Sequence, residues 1–387
     1  MSDSESIYIH IPFCLRKCAY CDFYSETRLS LIPDYLKALE TEINLKAGSE
    51  ISPVSPHGLI DTIYMGGGTP SLLAVKQIEQ IFQTIRAGFR VSPDAEITVE
   101  INPGTVDAGY LAGLKGAGVN RLSIGVQSFN DDKLKFLNRI HNADTAVKAI
   151  AHAETAGFEN ISLDLIYGIP GETQAAWIRD LKKALDQGPS HISAYMLTLE
   201  PGTPLADQVK QGIFIPLGSD MMSLLFKMTS RYLNQAGFEH YEISNFSKGS
   251  INRSRHNSKY WELTPYLGLG AGAHSYDGDA RSWNHRSIDG YITDLSSGAA
   301  PVEDQETLTL EQKMTEFIML RLRTLEGLDL NEFQARFQLP FEKKFEIILG
   351  RILDQGLGCV ENNRFALNLE GKIFLNSIVE SFSAEIF

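Results

Sequence analysis

The chain reads as an α/β protein: a partial (β/α)6 barrel of the TIM-like kind, followed by a smaller, mostly helical domain. Three observations predict this. From residue 6 to about 240 short β-branched, apolar runs alternate with amphipathic stretches of helical period. A polar or glycine-rich residue follows nearly every one of the six runs. After Glu306 the pattern changes to helices that end in a hairpin.

Taken in order, the expected strands are SIYIHI (6–11), DTIYMGG (61–67), EITVEIN (96–102), RLSIGVQS (121–128), NISLDLIYG (160–168) and HISAYMLTL (191–199). Helices are expected between them. In 31–46, Leu31, Ile32, Tyr35, Leu36, Leu39 and Ile43 recur at spacings of three and four, and in 71–86, Val75, Ile78, Phe82 and Ile85 share one face. Strands alternating with helices pair in parallel through right-handed crossovers. Six such units suit either a doubly wound sheet or an incomplete barrel. A doubly wound sheet gathers its working residues at one switch point, whereas a barrel distributes them over the C-terminal ends of many strands. Here three cysteines follow the first strand and GGGTP (66–70) the second. Glu100 and Asn102 end the third, Gln127 the fourth, Asp164 lies in the fifth and Thr198 in the sixth. The barrel is favoured.

The expected domains are a barrel over 1–240, a connecting region over 241–303 with HNSKYW (256–261) and the glycine-rich YLGLGAGAHSY (266–276), and a C-terminal domain over 304–387. In the last, LTLEQKMTEFIMLRLRTLEGL, DLNEFQARFQ and 341–355 read as helices and GCVENNRFAL as a hairpin, a winged-helix-like order suited to docking or to covering a substrate. A net charge of -13 and the absence of a Lys/Arg cluster argue against nucleic acid. No apolar run reaches the roughly 18 to 20 residues of a membrane span, and MSDSESIYIH has no signal-peptide pattern, which places the chain in the cytoplasm.

Three of the four cysteines, Cys14, Cys18 and Cys21, fall in CLRKCAYCDF as C-x3-C-x2-C. This is no disulfide framework, and in a reducing compartment such thiols serve as metal ligands. Two metals fit: zinc with a distant fourth ligand, or three corners of a [4Fe–4S] cluster. In the second case one iron stays open, and S-adenosylmethionine (SAM) can chelate it through its amino and carboxylate groups. Cys359 stands alone and is expected to be a small buried residue.

The cysteine spacing, Tyr20 just before the third cysteine, the position after strand one and the glycine turn together resemble radical SAM proteins. More narrowly, YIHIPFC, MGGGTPSLL, VEINPGT, RLSIGVQSF, LNRIH, DLIYGIPGET and HNSKYW resemble the oxygen-independent coproporphyrinogen III oxidase (HemN-like) family, and most of all its HemW branch. The resemblance implies a [4Fe–4S] cluster on Cys14, Cys18 and Cys21. It further implies SAM contacts from Tyr8 and Tyr20 near the cluster, from Gly67, Gly68 and Thr69 at the methionine end, and from Glu100, Gln127, Arg139, Asp164 and Thr198 around the ligand. Read without the family, GGGTP is a helix-starting turn with Thr69 as cap, and Arg139 is a solvated helix charge.

Two departures from the oxidase are visible. Phe23 stands where the oxidase carries a further cysteine, and the chain begins thirteen residues before Cys14, without the oxidase's N-terminal extension. HNSKYW marks the HemW branch, whose members are proposed to bind haem and hand it to client haemoproteins such as membrane-bound respiratory enzymes. On that resemblance His256 is a candidate haem ligand, flanked by Tyr260 and Trp261, with His274 a weaker one. The alternative for His256 is a hydrogen-bonded structural group. The expected function is therefore a haem chaperone, as monomer or dimer, reaching a membrane only through a client. Coproporphyrinogen oxidation is the alternative, and whether the chain is an enzyme stays open.

Overall fold

In the computed structural model, which describes residues 4–47, 53–54 and 58–387, the chain divides into two compact units. One comprises residues up to 217 together with 265–306, and the other 218–264 with 307–387. The expected boundaries at 240 and 303 do not coincide with these units. The segment expected as a connection is shared out, with HNSKYW in the second unit and the glycine-rich stretch in the first.

The first unit begins with β1 (Ser4–Ile11), α1 (Ile32–Ala47), β2 (Leu59–Gly67), α2 (Val75–Gly88), β3 (Val91–Ile101), α3 (Ala108–Gly116) and β4 (Arg121–Gln127). It continues through α4 (Asp131–Phe136), α5 (Ala143–Thr155), β5 (Asn160–Tyr167), α6 (Gln174–Asp186), β6 (His191–Met196) and α7 (Pro204–Lys210). Strands β1 to β6 pair consecutively and in parallel. Their outer residues, among them Ile7, Ile9, Ile63, Met65, Val99, Leu122, Ile124, Leu163 and Ile192, are fully buried under the helices. The helices present matching faces: Tyr35, Leu39 and Ile43 of α1, and Ile78, Phe82 and Ile85 of α2, have no exposure. Helix starts are fixed by side chains, with Asp107, Asn142 and Thr173 accepting from backbone N–H groups three residues on.

The barrel does not close on itself. The free edge of β1 is taken by β9 (Tyr266–Leu269), which runs parallel to it, and the sheet continues through β10 (His274–Tyr276), β11 (Ala280–Asn284) and β12 (Val302–Thr307). This extension is locked to α1 from beneath. The buried Glu42 carboxylate accepts from Gly270 N–H (2.8 Å), Asn284 Nδ2 (2.6 Å) and Tyr291 Oη (2.6 Å).

The second unit holds α8 (Ser219–Gln235), a hairpin of β7 (Glu239–Glu242) and β8 (Asn245–Ser247), and α9 (Arg255–Trp261). From Leu310 on it consists of helices and a three-stranded sheet. Phe317, Phe333, Phe337, Phe341, Phe345, Phe365 and Phe382 form its core. The expected hairpin is present at Gly358–Glu361 and Arg364–Leu367. Its turn is made by Asn362 (φ 49°) and Asn363 (φ 62°), the residue type that tolerates two left-handed positions in succession.

Candidate cluster and ligand site

The segment that carries the three cysteines leaves β1 and is tied down at several points. Cys14 N–H donates to Glu26 O (2.9 Å) and Glu26 N–H to Pro12 O (2.6 Å), closing the loop at its base. Asn138 Nδ2 reaches Lys17 O (3.1 Å), and Leu205 N–H reaches Ala19 O (3.0 Å), so chain from after β4 and from α7 braces the middle. The thiols of Cys14, Cys18 and Cys21 are all half-buried. Thr69 Oγ1 lies 3.6 Å from Cys14 Sγ, and Arg139 Nη1 lies 3.5 Å from Cys18 Sγ. Burial pushes the Cys14 thiol up and the Cys21 thiol up to about 11, so a cation that binds them displaces protons. Among the described residues no three His, Cys, Asp or Glu side chains stand arranged to hold a metal ion. The three thiols are thus a donor set by chemistry and chain position, flanked by a hydroxyl and a guanidinium suited to thiolate charge.

The inner face of the strands supplies the second half of the site. Because side chains alternate along a strand, the positions between the buried aliphatic residues all point inward. They carry Tyr8, Tyr64, Glu100, Ser123, Asp164 and Ser193, a polar lining where an ordinary barrel would be apolar. Tyr64 Oη donates to Glu100 Oε1 (2.8 Å), and Gly67 N–H donates to Oε2 (3.2 Å). Ser123 Oγ donates to Asp164 Oδ2 (2.8 Å). Tyr8 stacks on Tyr64 with centroids 6.2 Å apart, and its hydroxyl lies 3.0 Å from His10 Nδ1. Burial pushes Glu100 up to about 7, opposed by the Tyr64 hydrogen bond and reinforced by Asp164. Asp164 is likewise pushed up by burial, against hydrogen bonds from Ser123 and Ser193.

The glycine turn meets this lining at close quarters. Gly67 has φ 109°, and a Cβ there would sit 2.5 Å from His10 Cε1. A Cβ on Gly66 would sit 2.9 Å from the Glu100 carboxyl carbon. Only bare backbone can run between these side chains, which brings the Gly67 N–H to the Glu100 carboxylate. Thr69 is not the side-chain cap expected: no capping hydrogen bond forms, α2 begins only at Val75, and the hydroxyl turns to Cys14 instead.

Arg139 is no solvated helix charge either. It lies beyond α4, with Nη2 donating to Gly125 O (2.7 Å) and Nη1 toward Cys18, while its buried Nε has no hydrogen-bond partner. Gln127, in the left-handed region at φ 65°, ends β4 beside it: a Cβ on Gly125 would lie 3.0 Å from Gln127 Nε2 and 3.2 Å from Arg139 Nη2. Tyr20 packs with Leu137, Ile166 and Ile169 near Arg139. The structure thus brings Tyr8, Tyr64, Gly67, Glu100 and Asp164 into one lining, and Tyr20, Gln127, Arg139 and Cys18 into one neighbourhood. Gly68 ties the glycine turn to the start of the cysteine segment, its N–H donating to Ile11 O (2.8 Å) at the end of β1. Thr198 lies two residues past β6 and is exposed.

His256 belongs to the second unit, on α9. It is 1% exposed, its Nε2 lies 2.9 Å from Tyr260 Oη, and the two rings meet edge to face. His274 stacks on Trp283 at 5.7 Å. Cys359 is exposed, not buried as expected, because it occupies an outward position of a two-faced hairpin strand. Sequence reasoning missed Tyr64 and His10. The signal was available in their alternation with isoleucines in DTIYMGG and SIYIHI.

The residues present fit both groups that the resemblance implies. Three thiols beside a guanidinium suit an anionic thiolate cluster. A buried Arg139 Nε without an acceptor, a glycine turn that no Cβ could occupy and two inward carboxylates suit a ligand that carries both a carboxylate and cationic groups.

Residues 8–184 match the Radical SAM superfamily and residues 308–374 the HemN C-terminal domain. The chain is 34% identical to the heme chaperone HemW of Bacillus subtilis, over 99% of this chain and 100% of that one. It is 35% identical to heme chaperone HemW of Escherichia coli, over 98% of each. With that of Mycobacterium tuberculosis it shares 34% identity, over 97% and 94%. Among solved structures, coproporphyrinogen III oxidase (HemN) from Escherichia coli, described as a radical SAM enzyme, superposes with a TM-score of 0.83 at 25% identity, covering 98% of this chain and 89% of that one. The fold is that of the radical SAM proteins, and the chain belongs to the HemW family.

Proposed function

We propose that this chain is a haem chaperone: it carries a [4Fe–4S] cluster on Cys14, Cys18 and Cys21, binds SAM in the barrel mouth, and passes haem to client haemoproteins such as respiratory enzymes. The observation that carries this reading is similarity to HemW chaperones along the whole chain, rather than along the barrel alone. When bound, the cluster supplies an electron that can cleave the SAM sulfonium bond. The chain's own residues do the holding. The Gly66–Gly68 backbone and Glu100 receive the ammonium end, Arg139 offers its unpartnered Nε to a carboxylate, and Asp164 accepts from hydroxyl groups. Gln127 and Tyr20 wall the same side, and Thr198 borders the mouth.

His256 we assign to anchoring α9. With the ring nearly inaccessible and Nε2 engaged by Tyr260, iron ligation would require that hydrogen bond to break and the ring to be uncovered. A second reading, coproporphyrinogen oxidation, is favoured by one observation, the likeness to HemN over 98% of the chain. Against it, Phe23 stands 68% exposed on the cysteine loop where that family's oxidase has a cysteine. The deciding experiment offers coproporphyrinogen III to the anaerobically reconstituted protein with SAM and reductant, and looks for decarboxylated porphyrinogen. None is expected, while haem is retained. Turnover to protoporphyrinogen would replace the chaperone reading with the oxidase.

A further inference from the structure

A cation, Arg121, lies inside the barrel below the ligand lining. Arg121 opens β4 and is 1% exposed. It sits opposite Thr98 in the ladder, one inward position below Ser123, which itself stands opposite Glu100 and donates to Asp164. Its Nε has no hydrogen-bond partner, nor has Oγ1 of Thr98, which is wholly buried. The guanidinium charge is therefore incompletely quenched by its immediate wall.

The titratable groups that share this inner face are Tyr8 of β1, Tyr64 of β2, Glu96 and Glu100 of β3, Asp164 of β5, and His191 and Tyr195 of β6. Burial keeps Tyr8 and Tyr64 protonated, and burial with the Arg121 charge keeps His191 neutral. The acidic side chains that share this face with Arg121 are Glu96, Glu100 and Asp164. The field of Arg121 opposes the upward push of burial on both Glu100 and Asp164.

We propose that Arg121 is a positioning residue of the ligand site, a fixed buried cation that favours the acceptor form of Glu100 and Asp164 for a ligand bearing ammonium and sulfonium groups. This rests on the SAM reading above. The two carboxylates repel each other in a desolvated space, and a cation below them permits both to stay ionised without occupying the positions the ligand takes. Replacing it should leave Glu100, already near neutrality, protonated at pH 7.

The test measures SAM affinity by equilibrium dialysis of cluster-loaded protein between pH 6 and 9, for wild type, Arg121→Met, Arg121→Gln and Arg121→Lys. The neutral variants should bind SAM about tenfold more weakly at pH 7, with wild-type affinity recovered one or more pH units higher, and Lys should restore the wild-type profile. If Met proves unfoldable, Gln and Lys carry the same comparison, with iron content and melting temperature reporting integrity. A second readout needs no ligand: the Glu100 carboxyl band, identified by its loss in Glu100→Gln, should titrate at higher pH when Arg121 is neutralised. Superimposable SAM profiles or an unmoved band would overturn the Arg121 role while leaving the SAM site standing. Failure of the wild type itself to bind SAM would overturn the SAM reading.

Discussion

Glu100→Gln separates function from stability at the centre of this site. The carboxyl is pushed to about 7 from its ordinary 4.5, chiefly by burial, so between those values the folded protein binds a proton that the unfolded chain has released. Stability from this group is accordingly lost as pH rises through the window, reaching about 3 kcal/mol of destabilisation above it. Glutamine removes that cost. Its amide oxygen still accepts from Tyr64, but its NH2 faces the Gly67 N–H and loses that hydrogen bond, a penalty of about 1 kcal/mol. The variant should therefore be about 2 kcal/mol more stable than wild type at pH 8 to 9, or about 4–8 °C in melting temperature for a unit of this size. The advantage should vanish below pH 4.5. SAM affinity should fall in the same variant. Calorimetric melting across pH reads the first effect and dialysis the second. A variant no more stable than wild type at pH 9 would refute the buried, ionised carboxylate on which the site reading depends.

Serine at Cys14, Cys18 or Cys21 should each abolish the brown iron–sulfur absorption after anaerobic reconstitution, and a variant with full iron and sulfide would remove that cysteine from the donor set. Gly67→Ala should cost about 1–3 kcal/mol, since φ 109° and the His10 ring both oppose a Cβ, and should weaken SAM binding; a neutral outcome in both assays would show the turn to be pliable. Lys133→Met should cost about 3–5 kcal/mol, because it strands the buried Glu172 and Asp180 carboxylates that Lys133 bridges. An unchanged melting temperature would show that water already serves those carboxylates.

The barrel was legible because each of its strands alternates aliphatic residues with polar ones, and the polar set faces inward, where the proposed ligand would sit. Where reading failed, the cause was local. Strands β9 to β12 are short and rich in glycine or charge, so nothing in YLGLGAGAHSY marks an extension of the sheet beyond β1. Thr69 and Arg139 obeyed a distant thiol rather than their own segments, which sequence spacing does not reveal. Cys359 was misplaced because buried and exposed positions of a four-residue hairpin strand cannot be told apart without knowing which face is covered. Arg121, written as the first residue of an apolar strand, gives no hint in sequence that it lies inside a barrel beneath two carboxylates.

The most direct test of the chaperone account is haem transfer. Cluster-loaded protein charged with haem is mixed with an apo-haemoprotein across a size-exclusion separation, and haem is followed by its absorbance on each species. The account predicts that haem leaves this chain for the acceptor faster than it is acquired from free haem. Haem that stays on this chain, or an acceptor that fills equally well without it, would contradict the account.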